Sequence, residues 1–165
     1  MKFRRYTLKP KESKAILKQA ASTLGLNLEA LIEPKSSFEV VEAEFGKVFL
    51  LDGSPAFFEM ESEVLPMLLF SRVVAMLPKI VVDMGAVPHV CNGANVMVPG
   101  IVKVEGDFKK DAVVLVVDEK YGKPIALGKS LYDAAELRTL KKGIALRNLH
   151  YVGDVAWDSA KTMAR

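Results

Sequence analysis

Two histidines, His89 and His150, and one cysteine, Cys91, are the residues of this 165-residue chain best suited to nucleophilic chemistry. A nucleophile needs a base within hydrogen-bond reach and a further group to orient that base. His89 and Cys91 stand two apart, which on a strand only puts them on one face, and no orienting residue is marked out. A lone cysteine among apolar neighbours is ordinarily a small core thiol. Gly128-Lys129-Ser130 has the ending of the phosphate-binding P-loop, but Lys123 stands where the motif needs its first glycine, and Gly122 misses the register by one. Asp107, Asp111 and Asp118 lack calcium-loop spacing, and a single cysteine rules out paired C-x-x-C zinc ligands. No catalytic residue, metal or cofactor is therefore expected, and the chain is not expected to be an enzyme.

The elements that position these residues fall into two groups. Residues 2–8 have the composition of a short strand. Pro10 suits the first turn of a helix carrying Ile16, Leu17, Ala20, Ala21 and Leu24, with Gly25 as its left-handed stop. A further helical turn or two over 27–32 is closed by Pro34. Residues 38–45 read as a strand with one wet face, and 47–60 as a hairpin about Asp52-Gly53. Residues 63–77 read as mostly helical, ending at Pro78. From there the chain is strand-rich: strands are expected over 79–87, 112–117, 124–128 and 148–154, with a short one at VKVEG and at most a short helix within 89–101. A capping box at Ser130–Asp133 is expected to open a helix running to Lys142, with Gly143 as its stop. Short strands with two small helices predict an α+β amino-terminal unit, 1–77, and a small, partly open barrel, 78–165. No repeat or long linker intervenes, so the two are expected to pack directly together.

Half the residues are hydrophobic and 26% are charged, with a net charge of +3. Residues 1–18 carry seven Lys/Arg against one Glu, and 28–64 carry nine Asp/Glu against two Lys. Basic ends around an acidic middle point to two surfaces with different partners. The longest apolar stretch, Val64 to Leu77, is broken by Pro66, Ser71 and Arg72 and is too short for a bilayer of roughly 30 Å. No signal peptide is read at the start, so a soluble, cytoplasmic protein without membrane partners is expected.

Two segments carry a family resemblance. VVDMGAVPHVCNGANVMVPGIV (81–102) resembles the signature of the PUA fold, named for pseudouridine synthases and archaeosine transglycosylases. D-x-G-A at Asp83–Ala86, G-A-N-V-M-x-P-G at Gly93–Gly100, and the ending KKGIALRNLHYVGDVAW (141–157) are similar to the malignant-T-cell-amplified-sequence (MCT) family of translation factors. The resemblance implies a pre-PUA α/β domain packed on a PUA pseudo-barrel of mixed strands. It also implies RNA binding in translation initiation, reinitiation or ribosome recycling, with tRNA and small-subunit rRNA as ligands. A protein partner with an initiation-factor-like domain is expected in trans, through the amino-terminal domain. The alternative is a ribosome-biogenesis or RNA-modification accessory factor targeting rRNA or tRNA.

The PUA resemblance maps the RNA surface to about 84–103 and 147–151. Met84, Gly85, Ala86 and His89 come from the first motif, and Gly93, Ala94, Asn95, Pro99 and Gly100 from the second. Glycine lets a backbone approach a ligand, because no Cβ intervenes. A short helix after Gly93-Ala94 would turn N–H groups toward a phosphate. Lys103, Lys129 and Arg147 supply positive charge, and His150 and Tyr151 a donor and a stacking surface. His150 and Tyr151 alternate on a strand, so one of them is expected to point inward. Val96, Met97 and Ile101 have the alternative role of core filling. The chain departs from the family at Pro88–Asn92, where other members tend to carry a lysine; His89 is the candidate to replace it.

Overall fold

The computed structural model describes residues 4–29, 33 and 35–163, which divide into two units. One comprises 4–70 together with 155–163; the other is Ser71–Asp154. The division thus falls before the expected 77/78, and the last residues return to the first unit.

In the first unit, β1 (Arg4–Thr7), β2 (Phe38–Ala43), β3 (Gly46–Leu51), β4 (Ser54–Met60) and β5 (Glu63–Pro66) form an antiparallel meander in chain order. Helix α1 (Pro10–Leu24) covers β5 and ends as expected on Gly25, whose φ is 65°. The Asp52-Gly53 turn has positive φ at both residues, 49° and 84°, the twist that closes a two-residue hairpin. On β1, Arg5 forks onto Glu39 of β2 at 2.8 and 3.0 Å, which holds the Glu39 carboxyl below its usual range. The strand expected at 2–8 is described from Arg4 onward. The turns expected at 27–32 and their stop at Pro34 lie largely outside the described residues.

Two sequence expectations fail here. Residues 63–77 are not one helix: β5 pairs with β4, and helix α2 is only Ser71–Val74. Val64–Leu68 is buried without a break, so this first half of the segment has no wet face to reveal its period, and exposed residues return only from Ser71. Helix α5 (Val155–Met163) extends past the strand expected to close the chain and buries Ala156, Ala160 and Met163, packing on β4.

The second unit is a mixed sheet in the order β7-β11-β10-β9-β6-β8, curled into a half-barrel. Its strands are β6 (Lys79–Val82), β7 (Val96–Met97), β8 (Ile101–Glu105), β9 (Val113–Asp118), β10 (Pro124–Ser130) and β11 (Ile144–Tyr151). Only β6 and β9 run parallel. The β9 run Val113–Val117 is buried throughout, as a central strand covered on both faces requires. Ile80, Val82, Val114, Val116, Ala126 and Leu146 form the core with Val90 of the short helix α3 (Val87–Val90). Gly128 sits inside β10, where a Cβ would lie 2.9 Å from Leu146 Cβ and Cδ1. That glycine therefore serves packing against β11, not a phosphate loop.

The helix expected from Ser130 to Lys142 shortens to α4 (Ala134–Leu137), entered from Asp133. Ser130 is still in β10, and its hydroxyl donates to Tyr132 O at 2.6 Å. The expected strand over 79–87 stops at Val82, because Asp83 turns the chain into α3.

Candidate nucleic-acid interface

Where β6 ends, Asp83 organises the turn. Its Oδ1 accepts the Ala86 N–H at 2.8 Å, and its own N–H donates to Gly100 O at 2.9 Å. These bonds hold the start of α3 against the turn of 3-10 helix at Val98–Gly100. Gly100 permits this closeness, since a Cβ there would lie 3.1 Å from Ala86 Cβ.

After α3 the chain reverses through Gly93, with φ 94°, and is pinned by Asn148 of β11. The Asn148 Nδ2 donates to Val90 O at 3.0 Å and to Ala94 O at 2.9 Å, while its backbone N–H donates to Asn95 Oδ1 at 3.0 Å. Only an amide nitrogen can face two carbonyls, so the side-chain orientation is fixed. Asn148 Oδ1 is buried and meets no donor among the described residues.

Between these supports lies an open groove of about 670 Å³. It is lined by Ala86, His89, Val90, Ala94 and Asn95 from α3 and its flanks, by Val96, Met97, Pro99, Gly100 and Ile144, and by Asp83. Met97 and Ile144 pair across β7 and β11 and remain 47% and 39% exposed. No lysine or arginine stands among the described residues that line it. A largely apolar lining with one carboxylate, an imidazole and an amide, and no lysine or arginine, suits a flat, partly apolar group with donors and acceptors on its edge better than a phosphate. An unpaired nucleobase has that chemistry.

Ala86, His89, Ala94, Asn95, Pro99 and Gly100 thus meet at one groove, as the sequence placed them. Met84 and Gly85 lie exposed on the turn feeding it. The other expected residues behave differently. No helix follows Gly93-Ala94: α3 precedes them and β7 comes next, so the expected phosphate-binding N–H groups are absent there. Gly93 faces the Tyr151 ring, with a Cβ there only 3.2 Å from the hydroxyl oxygen.

His150 is fully buried, and its Nδ1 lies 2.8 Å from Asp154 Oδ2, so it cannot meet RNA. Leu127 pairs with His150 but Gly128 with Asn148, which makes Leu149 the extra residue of a β-bulge. That bulge breaks the alternation and brings Tyr151, rather than His150, to the side of Asn148 and α3. Lys129 and Arg147 are cross-strand partners, and Arg147 lies between Leu146 and Asn148, on the opposite face of β11. Neither belongs to the groove. Lys103, on β8, is paired with Glu105 at 3.2 Å. Cys91 is half-buried, and burial pushes its thiol up, away from the thiolate.

Sequence reasoning missed Asp83, Met97 and Ile144 as groove residues and Asn148 as its brace. Each stands inside a quoted motif, but acidic, aliphatic and amide residues carry no mark of RNA contact by type. Met97, given a core-filling alternative, is exposed.

The half-barrel with α3 and its groove defines a PUA-domain protein. Residues 78–152 match the PUA domain profile, and residues 4–72 match a domain of unknown function, DUF1947. An uncharacterised protein of Methanocaldococcus jannaschii is 37% identical over 158 residues, 94% of this chain and 96% of that one. Translation machinery-associated protein 20 of Schizosaccharomyces pombe is 34% identical over 155 residues, 87% of this chain and 83% of that one. A PUA-domain protein of Aeropyrum pernix superimposes with a TM-score of 0.88 at 24% identity, covering 99% of this chain and 94% of that one, a likeness of fold. The chain belongs to the family of translation machinery-associated protein 20 and the malignant-T-cell-amplified-sequence proteins. It therefore carries an RNA-binding PUA domain and has translation-associated relatives.

Proposed function

We propose that this protein is a non-catalytic translation factor of the cytoplasm that captures an unpaired base of tRNA or small-subunit rRNA in the α3 groove. It acts in initiation, reinitiation or recycling of the small ribosomal subunit. A partner carrying an initiation-factor-like domain engages the amino-terminal unit. The observation that supports this most directly is the groove lining: largely apolar walls with His89, Asn95 and one carboxylate, and no lysine or arginine among the described residues, on a family whose members are named for the translation machinery.

Mobility shift with deacylated tRNA at rising salt tests the RNA reading. Binding at low salt should weaken steeply as salt rises, because phosphates outside the groove release counterions. Removing the unpaired 3′ end should weaken it further. The protein should also co-sediment with small subunits, and tRNA recovered afterwards should have unchanged mass. Absence of tRNA and rRNA binding at low salt would sink the proposal.

A further inference from the structure

The β9–β10 hairpin carries a feature that the groove does not use. Tyr121, at its tip, is 71% exposed. Lys120 Nζ lies 5.2 Å from its ring centroid, covering one face, and Lys123 is exposed two residues on. The loop is braced. The Asp118 carboxylate accepts the Tyr121 N–H on Oδ1 and the Lys123 N–H on Oδ2, and Gly122 N–H donates to Asp118 O at 3.0 Å. Asp118 itself is only 5% exposed, so the turn is tied to the sheet from within. A tight turn does not require an aromatic residue at its tip, and holding one rigidly in water forgoes apolar burial.

The tip also stands at the groove end of the sheet. Asp118 pairs in parallel with Val82, and Glu119 N–H donates to Val82 O at 3.0 Å. The residue after Val82 is Asp83, a wall of the groove. The root of the hairpin is therefore about 4.8 Å, one strand spacing, from the strand that delivers that wall.

We propose that Lys120, Tyr121 and Lys123 form a second contact for the RNA strand whose base enters the groove. The open face of Tyr121 stacks on a neighbouring unpaired base, and the two ammonium groups meet flanking phosphates. This inference rests on the RNA reading of the groove. The tip's charge favours RNA over a protein surface: two lysines flank the ring, Glu119 is the single exposed acid, and no second exposed apolar side chain accompanies Tyr121 on residues 119–123.

The test measures tRNA affinity against salt for the full chain, for Met97→Asp in the groove, and for tip variants. Tyr121→Ala should lose roughly 5- to 150-fold in affinity, the range of one base–aromatic stack, while Tyr121→Phe stays near wild type. Lys120→Gln with Lys123→Gln should flatten the log–log salt dependence by about 1.4, since each single-strand phosphate contact contributes about 0.7. Thermal midpoints should not change, because these side chains are exposed. If Met97→Asp weakens binding and all tip variants bind as wild type with the same salt slope, the second contact is wrong and the groove reading survives. If the wild-type chain binds no RNA at low salt, both fall.

Discussion

Asn148→Ala removes the side chain of β11 that donates to both α3 and the Gly93 reversal. Two donor bonds vanish, to Val90 O and Ala94 O, at 3.0 and 2.9 Å. A neutral hydrogen bond contributes about 1 kcal/mol net, and a partly buried acceptor left unpaired costs about 1–3 kcal/mol. Water regains part of the exposed Ala94 side, so the total should be about 2–3 kcal/mol. For a unit the size of Ser71–Asp154, each kcal/mol moves the midpoint by roughly 4–8 °C, which gives a fall of roughly 10–20 °C. Far-UV circular dichroism on heating, with urea unfolding for the free energy, measures this. Asn148→Asp separates donor loss from packing: its carboxylate faces the same two carbonyls and should cost at least as much as alanine at neutral pH. Its defect should ease in acid, where a protonated carboxyl can donate to one of them. An alanine variant within about 0.5 kcal/mol of wild type, or an aspartate variant more stable than alanine at neutral pH, would refute the reasoning.

Gly128→Ala should destabilise by about 1–3 kcal/mol, because the added methyl meets Leu146 Cβ and Cδ1 at 2.9 Å; urea unfolding reads it. Hydrogen bonds from the backbone N–H groups of Tyr121, Lys123, Lys120 and Gly122, Tyr121 foremost, hold the Asp118 carboxyl below its usual range. A depressed folded value gives stability that is complete above the unfolded value, about 3.9, and lost as pH falls through the lower folded one. Asp118→Asn should therefore lower the thermal midpoint at pH 7 and narrow its gap to wild type in strong acid; an equal gap at both would contradict this. Ile144→Asp should reduce tRNA affinity, whereas Val102→Asp, exposed on β8 outside the groove, should leave it unchanged.

What was legible in the sequence was local. Gly25 and Asp52-Gly53 announce left-handed turns through their own backbone freedom, and α1 shows its period because one face is wet. The stretch 63–77 misled because it holds two short elements: β5, paired with β4, opens a run buried from Val64 to Leu68, and exposed residues return only at Ser71. The groove residues of 84–100 came through the motif that carries them. Which of His150 and Tyr151 points inward did not, because it is decided by the extra residue Leu149, and a bulge is a property of two paired strands. Arg147 and Lys129 failed as groove residues for the same reason: strand parity across a sheet, not residue type, sets the face.

Helix α5 belongs to the first unit although it is encoded after the second. During synthesis, 4–70 emerge first but lack the helix that covers β4 until 155–163 follow. All of Ser71–Asp154 emerges in between and can close its own sheet, His150–Asp154 bond included. The unit begun first is therefore completed last, and a chain released after Asp154 holds every strand of the half-barrel while its meander lacks α5. Such a chain, truncated after Asp154 and released, should protect the half-barrel from protease and leave β4 open to cleavage.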